Sequence, residues 1–240
     1  MADYGRILYI SDYSELGYYV KEHFLNAKKD FLQINNIIDP NEKELMIMNQ
    51  YDTLIFISYH ESKKEIHSFC VHHTGNWQEA WGGKEEILSI AVPYLMKGSF
   101  LFLKEFGDLP VTMEVTHHGP TIDKNILFIE VTKQAYNEKR ADLLVETALR
   151  LPEEKGVITF GVGGNHYCAK FNSYEEKDFA FGHIIPKYRE LKENTFIQAI
   201  KKNFPKEAEL ILIDKKGTKK EQRDKAIEFA KKYNINYEII

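Results

Sequence analysis

The chain has 240 residues, of which 43% are hydrophobic and 28% charged, and its formal net charge is -4 at pH 7. A chain of this length can bury about 70–75% of its unfolded surface in a core. With 13% aromatic residues, 7 prolines and no low-complexity tract, the composition excludes a disordered or fibrous protein. Two cysteines exclude a disulfide framework and a CxxC zinc ribbon, and they favour a reducing cytoplasm. Because no apolar run reaches the roughly 18 residues of a membrane span, we expect a soluble protein that is not exported.

Short runs rich in Ile, Val, Phe and Tyr predict β-strands along most of the chain. They are separated by polar or glycine-bearing stretches and by segments with a helical period. In chain order, the predicted strands cover residues 7–10, 53–59, 68–72, 111–115, 126–131, 157–162, 179–184 and 210–213.

Helical patterns lie between several of these strands. Residues 39–42 (DPNE) open one helix with a carboxylate cap, Pro in the first turn and Glu three residues after the cap. Residues 218–221 (TKKE) form a capping box before an amphipathic stretch that ends near Tyr233. The remaining predicted helices cover residues 15–26, 86–106, 138–149 and 190–202.

The mixture of strands and helices without a Pro/Gly/Ser-rich linker predicts a single α/β domain over residues 1–240, with helices covering a mixed, mostly parallel sheet.

Charge is distributed unevenly along this domain. Residues 184–240 carry 14 Lys+Arg and 9 Asp+Glu (+5), while residues 1–183 carry 18 and 27 (-9), and the two values sum to -4. This basic C-terminal segment, which we assign to the same domain, could face a polyanion or simply be a solvated surface.

Histidine is the unusual component. Eight of the nine histidines lie between His60 and His183, at the ends of predicted strands or in glycine-bearing turns. Loops at strand ends form the ligand sites of α/β proteins. His60-Glu61 does not begin an HExxH zinc motif, because position 64 is Lys. Converging imidazoles beside a carboxylate would suit Zn²⁺ with an open position, or acid-base chemistry without a metal.

The segment MEVTHHGP, residues 113–120, combines a carboxylate, a hydroxyl and two imidazoles. If it is a regular strand, Glu114, Thr116 and His118 share one face and could form a general-base relay. His117 then points to the other face, so the two histidines could bind one metal only if the chain turns before Gly119-Pro120. The alternative is a strand end with two exposed histidines.

Two further segments place histidine beside glycine. In GVGGNHY, residues 161–167, the amides of Gly163 and Gly164 could bind an anion, and His166-Tyr167 follow directly. A plain tight turn also explains the glycines, and the pattern is neither GxGxxG nor a P-loop. His183 follows Gly182 at the end of another predicted strand. The segment VHHTGN, residues 71–76, begins in the predicted strand that ends at His72 and continues past it.

MEVTHHGP, VHHTGN with the following Gly82-Gly83-Lys84, GVGGNHY and FGH (residues 181–183) together resemble the D-aminoacyl-tRNA deacylase family of the archaeal and plant type. The resemblance covers about residues 55–185. It departs at residues 168–170 (CAK), where the family usually has Ala-Pro before a basic residue, so that Lys170 keeps the basic position but Pro is missing.

The resemblance implies hydrolysis of the ester between a D-amino acid and the 3'-terminal ribose of tRNA. It also implies a zinc-dependent, monomeric, cytoplasmic enzyme with a three-layer α/β/α fold of the phosphorylase/hydrolase kind, similar to peptidyl-tRNA hydrolase.

Two catalytic mechanisms stay open. Either Zn²⁺ is held by some of His117, His118, His166 and His183, or His118 oriented by Glu114 is the general base, with Thr116 in the relay and the Gly163 and Gly164 amides as the oxyanion hole.

Substrate contacts are expected from side chains around these motifs. The terminal adenosine could stack on Tyr167 or Trp77, and the phosphates could meet lysines, including those of the C-terminal helices. A peptidyl-tRNA hydrolase, another zinc hydrolase or a non-catalytic RNA-binding protein are the alternatives. The residues expected to bind substrate are His60, Lys63, His72, Asn76, Lys84, Tyr167 and Lys170.

Overall fold

The computed structural model describes residues 2–61 and 66–240. Strands and helices alternate along most of this length. The strands are β1 (Ile7–Asp12), β2 (Phe31–Ile34), β3 (Thr53–His60), β4 (Phe69–His72), β5 (Val111–Met113), β6 (Asn125–Thr132), β7 (Val157–Val162), β8 (Phe179–Ile185), β9 (Leu210–Ile213) and β10 (Asn236–Ile239). The helices are α1 (Glu15–Asn26), α2 (Glu42–Met48), α3 (Pro93–Phe106), α4 (Glu138–Arg150), α5 (Ala169–Glu175), α6 (Glu193–Lys201) and α7 (Lys220–Tyr233), with a 3-10 turn at Lys133–Ala135.

The strands form two sheets. The first has the order β2-β1-β3-β6-β4-β5, and the second has the order β10-β9-β7-β8. Every pair is parallel except β4 with β6, which is antiparallel. The predicted α/β fold with a mixed, mostly parallel sheet is therefore confirmed, and the structure adds that the strands divide between two sheets. Helix α3 packs against β8 and so connects the two.

Helices cover both faces of the first sheet. On one face, Ile55 and Leu127 pack in a cluster with α1, α3 and α4. On the other face, Phe56 and Phe128 pack in a cluster that includes Met48 of α2. The rings of Phe56 and Phe128 stack with centroids 4.4 Å apart. Because side chains alternate along a strand, this second face continues past the two phenylalanines into polar residues at the ends of β3 and β6.

All eight predicted strands are present, but several local predictions need correction. The helix predicted over 86–106 begins only at Pro93, because residues 88–91 are extended and bridge to other segments, and a residue before Pro disfavours helix. Helix α2 is capped by Asn41 and Glu44 rather than by Asp39 and Glu42. Strands β2 and β10 and helix α5 had no predicted counterpart.

The C-terminal helix also starts differently from its prediction. Helix α7 has Lys219 as its cap residue and no side-chain cap hydrogen bond. The Thr218 hydroxyl instead donates to the backbone carbonyls of Val162 and Asp214. Thr218 thereby ties the start of α7 to the end of β7. Within the described parts of the chain, no helix is long and apolar enough to cross a membrane.

Candidate active site

Three neighbouring strands of the first sheet deliver polar side chains to one place. The register pairs Ser58 of β3 with Glu130 of β6, and Glu130 with Cys70 of β4. His60 and His72 lie two residues further along their own strands and therefore on the same face. The ring of His72 stacks on Phe128, with centroids 4.9 Å apart. Sheet pairing thus places Glu130 between two histidines that are adjacent to an apolar floor.

The loop after β5 brings a carboxylate and two more histidines to this face. Strand β5 ends at Met113, so the strict alternation expected as far as residue 118 does not hold. His118 has φ 43, a left-handed conformation that turns the chain. His117 and His118 therefore both face the cluster, as the alternative with a turn before Gly119 requires. Thr116 points the other way, since its hydroxyl bonds with Nδ1 of His183.

Three of these imidazoles share one hydrogen-bonding pattern. Nδ1 of His72, His117 and His118 lies 3.3, 2.7 and 2.6 Å, respectively, from a backbone carbonyl oxygen. A carbonyl only accepts, so Nδ1 carries a proton, and in the neutral form of each ring Nε2 keeps its lone pair. One ligand nitrogen from each ring lies within 4.8 Å of the other two. Nε2 of His72 is buried and has no hydrogen-bond partner among the described residues. This is the arrangement of metal-binding histidines that are oriented by the backbone.

A second group adjoins the first and contains Glu114. Oε1 of this buried carboxylate lies 3.0 Å from Nδ1 of His60 and 3.4 Å from Nε2 of His166, although neither contact has the geometry of a hydrogen bond. Nε2 of His60 lies 2.8 Å from the Tyr167 hydroxyl. The three residues His60, Glu114 and His166 offer ligand atoms within 4.8 Å of one another. His60 has both nitrogens engaged, whereas His166 is partly exposed.

The buried carboxylates and the His60 imidazole of this cluster stabilise each other's ionised forms. Burial opposes ionisation of Glu114, but His166, His60 and neighbouring imidazoles hold the pKa of its carboxyl well below the usual range. The pKa of Glu130 is lowered in the same way by His60 and His72. Burial opposes the charged form of His60, yet the two carboxylates outweigh it and raise the pKa of His60 to about 11. His60 is therefore a cation that neutralises buried carboxylates.

His117 and His118 have the opposite tendency. Burial and the neighbouring imidazoles lower the pKa of His117 well below its ordinary value and lower that of His118 to about 3. Both rings are neutral at physiological pH, and neutral imidazole is the form that binds a metal. Burial also opposes the charged form of His72, but Glu130 raises its pKa.

Glu130 was not identified as a site residue from the sequence. It is 4% exposed, and one of its oxygens accepts a hydrogen bond of 2.6 Å from the Ser58 hydroxyl. The available signal was a single carboxylate inside the apolar run 125–132, where a charged residue must be paired to be buried. A similar signal marks Ser58 in the apolar strand β3.

Known proteins match most of this chain. Residues 47–238 match a family model described as D-aminoacyl-tRNA deacylase. The chain belongs to the D-aminoacyl-tRNA deacylase family. Family members similar to it include those of Pyrococcus furiosus (35% identity; 78% of this chain and 73% of the relative), Thermococcus onnurineus (33%; 89% and 82%) and Picrophilus torridus (34%; 87% and 85%), each named D-aminoacyl-tRNA deacylase.

One solved structure supports the fold of this D-aminoacyl-tRNA deacylase family member. It is a crystal structure of a conserved protein of unknown function, AF0625. The TM-score is 0.85 at 24% sequence identity, and the match covers 97% of this chain and 94% of that chain.

Three residues predicted for the site of this deacylase-family protein lie elsewhere. His183 is fully buried, with Nδ1 bonded to Thr116 and Nε2 to the carbonyls of residues 89 and 202. It therefore has no free nitrogen for a metal. The amides of Gly163 and Gly164 donate to backbone carbonyls at 2.9 and 2.8 Å, so they do not form a free oxyanion hole.

Most of the predicted substrate contacts also have structural partners. The Asn76 amide donates to the carbonyls of Gly82 and Lys84 and so fixes that loop. Trp77 is buried, and its indole N–H donates to the Thr116 carbonyl, so Trp77 packs in the core. Lys170 lies 3.3 Å from Asp214, and the Lys84 side chain is exposed. Lys63 lies outside the described residues.

Cavities give the cluster access to solvent. One of about 710 Å³ is lined by His60, His117, His118 and His166. A smaller one of about 80 Å³ is lined by the last three of these and by Trp81. A substrate can therefore reach the exposed edge of the histidine cluster from two sides.

Proposed function

We propose that this protein hydrolyses the ester that joins a D-amino acid to the 3'-terminal ribose of tRNA, and that a zinc ion bound by the histidine cluster assists. The observation that carries the proposal is the set of three imidazoles, His72, His117 and His118, whose ligand nitrogens lie within 4.8 Å of one another. His117 and His118 line an open cavity, and the buried carboxylate of Glu114 lies beside the set. Family membership supports the substrate class. Three histidines with an open fourth position are typical of catalytic zinc.

His72, His117 and His118 would hold the metal. The buried Nε2 of His72 has no hydrogen-bond partner among the described residues, and a cation bound to the neutral ring at this point would satisfy it. When bound, zinc would polarise the ester carbonyl and lower the pKa of a bound water to about 7. The ligand set expected from the sequence was His117, His118, His166 and His183. The present assignment retains His117 and His118 and has His72 in place of the other two.

We assign proton transfer to His166. Its side chain lines both cavities and is 31% exposed, so it can touch the substrate. Glu114 orients the ring, since its Oε1 lies 3.4 Å from Nε2 of His166. As the water oxygen bonds to the carbonyl carbon, the water proton passes to His166. When the bond from carbon to the ribose 3'-oxygen breaks, His166 returns that proton to the leaving oxygen.

His60, Tyr167 and Glu130 are positioning residues in this scheme. Tyr167 and the two carboxylates hold the His60 ring from both of its nitrogens. His60 in turn fixes Glu114 beneath His166. This arrangement replaces the alternative in which His118 is the general base, because Nδ1 of His118 is bonded to a carbonyl and its Nε2 faces the other two rings.

A deacylation assay with D- and L-tyrosyl-tRNA, before and after chelation and with metal analysis, tests the proposal. We expect turnover of the D-ester, its loss on removal of zinc and its return on adding zinc. Equal rates on the D- and L-esters would contradict chiral selection, and full activity without bound metal would contradict the zinc assignment. Faster cleavage of N-blocked aminoacyl-tRNA would favour the peptidyl-tRNA hydrolase alternative.

The proposal also keeps the expectation of a monomer that acts in the cytoplasm. Sedimentation of the purified protein tests the first part, and localisation of a tagged chain tests the second.

A further inference from the structure

The two approaches to the histidine cluster differ in charge. The cavity of about 710 Å³ is lined by three carboxylates, Asp12, Glu61 and Glu130, and by two cations, Lys133 and His60. Lys133 pairs with Glu61 and His60 lies 3.6 Å from Glu130, which leaves the carboxylate of Asp12 without a cationic partner among the described residues. A groove of about 310 Å³ lies on the other side and contains more cations than anions. Its charged residues are Lys187, Arg189, Lys219 and Lys225 against Glu190 and Glu221.

Each of these two spaces shares lining residues with the small cavity of about 80 Å³. Tyr188 and Arg189 line both the small cavity and the basic groove. Trp81 and His166 line both the small cavity and the acidic one. The exposed histidines of the cluster therefore lie where the small cavity adjoins the acidic one, on a path of neighbouring cavities whose two ends differ in charge.

Exposed aromatic rings flank that junction. Trp81 is 59% exposed and Tyr188 is 50% exposed, so packing does not account for either. The Trp81 ring centroid lies 5.5 Å from that of His118. Aromatic rings next to a positively charged groove are the usual elements of sites for single-stranded nucleic acid, because bases stack on the rings and cations follow the backbone.

Two of the groove cations are free to contact phosphate. Arg189 pairs with Glu79, and Lys225 pairs with Glu190. Lys187 and Lys219 are exposed, and neither forms an ion pair within residues 2–61 and 66–240. Both extend from segments that border the groove, one after β8 and the other at the start of α7.

Resting on the proposed function, we infer that the path fixes the direction of the aminoacyl-tRNA. The single-stranded 3' end lies in the basic groove, with phosphates on Lys187 and Lys219 and the terminal base against Tyr188 and Trp81. The aminoacyl group passes the histidine cluster and enters the acidic cavity, where the carboxylate of Asp12 attracts its ammonium group. The substrate is anionic at one end and cationic at the other, and the path has the complementary polarity.

Binding of uncharged tRNA at a series of salt concentrations tests the RNA half. We expect K187A/K219A to raise Kd at least about 10-fold at low salt and to reduce the slope of log Kd against log salt by about 1.4, or 0.7 for each lost phosphate contact. The matched control is K29A/K139A, which removes two exposed lysines outside the groove. A Kd and slope equal to those of this control would overturn the inference.

The stacking contact is tested with Tyr188→Ala. We expect roughly 5- to 100-fold weaker binding of a single-stranded oligonucleotide ending in CCA, and near-complete retention with Tyr188→Phe. Phe106→Ala is the control, since Phe106 is 57% exposed but does not line the groove. If the Tyr188→Ala and Phe106→Ala proteins bind the oligonucleotide with equal affinity, Tyr188 does not contact the RNA.

The direction is tested by turnover. We expect K187A/K219A to lower kcat/KM for D-tyrosyl-tRNA at least 10-fold more than for D-tyrosyl-adenosine, which lacks the other nucleotides. Ile38→Trp narrows the acidic cavity and should raise KM for D-tyrosyl-tRNA more than for D-alanyl-tRNA. A larger loss with D-tyrosyl-adenosine than with D-tyrosyl-tRNA, or a larger rise in KM for D-alanyl-tRNA than for D-tyrosyl-tRNA, would contradict the proposed direction of the substrate.

Deacylase activity and RNA binding in the groove can be contradicted independently. A wild-type protein that binds tRNA through the groove but releases no amino acid would contradict the proposed function alone. An active protein whose K187A/K219A variant matches the lysine control would contradict the RNA path alone.

Discussion

Buried carboxylates in two regions of this protein have pKa values shifted in opposite directions. In the histidine cluster, Glu114 and Glu130 have lowered pKa values. At the end of α5, Glu175 is equally buried, and desolvation raises its pKa to about 8. Its Oε2 accepts the Phe181 amide at 3.0 Å, while its Oε1 has no partner among the described residues.

The difference lies in the partners and not in the depth of burial. Desolvation raises the pKa of all three carboxyls, but imidazoles surround only Glu114 and Glu130. At neutral pH the first region thus stabilises charge within the protein, and Glu175 gives up its charge. Stabilised charge beside an open cavity indicates a functional site, whereas a neutral carboxyl in a closed core indicates a structural role.

The largest expected effect comes from removing the stabilised charge. Glu114→Gln should lower kcat/KM for D-tyrosyl-tRNA about 10³-fold, because His166 loses the carboxylate that orients it for proton transfer. The measurement is single-turnover deacylation on a variant whose fold is checked by circular dichroism. Glu175→Gln is the control and should keep activity within about twofold of wild type. Similar losses in both variants would mean that burial alone, and not the imidazole partners, distinguishes them.

The ligand assignment gives the next effect. His72→Ala should weaken zinc binding about 100-fold or more, since it removes one of three ligands. His183→Ala should keep the metal but lower the free energy of unfolding by about 1–3 kcal/mol, because it leaves buried hydrogen-bonding groups unpaired. Elemental analysis and urea denaturation measure the two quantities. Zinc retained in the His72 variant and lost from the His183 variant would restore the ligand set expected from the sequence.

The pH dependence of stability tests Glu175. The folded protein holds this proton up to pH about 8, whereas the unfolded chain releases it near the ordinary value of 4.5. Between these values the folded state binds more protons, so stability falls as pH rises, by up to about 1.4 kcal/mol per pH unit. Glu175→Gln should flatten this dependence. Urea denaturation at several pH values measures it, and an unchanged slope would show that Glu175 is ionised in the fold.

The smallest effect is expected at a carboxylate that is not buried. Asp108 forms two hydrogen bonds of 2.9 Å with Arg140 at the surface. Asp108→Asn should change the free energy of unfolding by no more than about 1 kcal/mol, because exposed ion pairs contribute little. Urea denaturation at low and high salt measures it. A change of several kcal/mol would show that partner geometry matters more than burial.

The sequence determined the eight predicted strands, the α/β class and the concentration of histidines at strand ends. Apolar runs and strand periodicity are local properties, so these predictions needed no knowledge of pairing. The resemblance carried by MEVTHHGP and GVGGNHY depended on residue identity, and the family model confirmed it. The sequence also placed His117 and His118 in a candidate site, but it left open whether the two rings face the same way.

Only the tertiary structure decided which of these side chains meet. The pairing of β6 with both β3 and β4 brings Glu130 beside His60 and His72, although β6 lies more than fifty residues from the other two strands in the chain. The left-handed turn at His118 ends the alternation on which the predicted relay depended. His183 follows a similar glycine-histidine pattern and yet bonds within the core. Residue type fixes the chemistry that a side chain offers, whereas sheet register and backbone turns fix its neighbours.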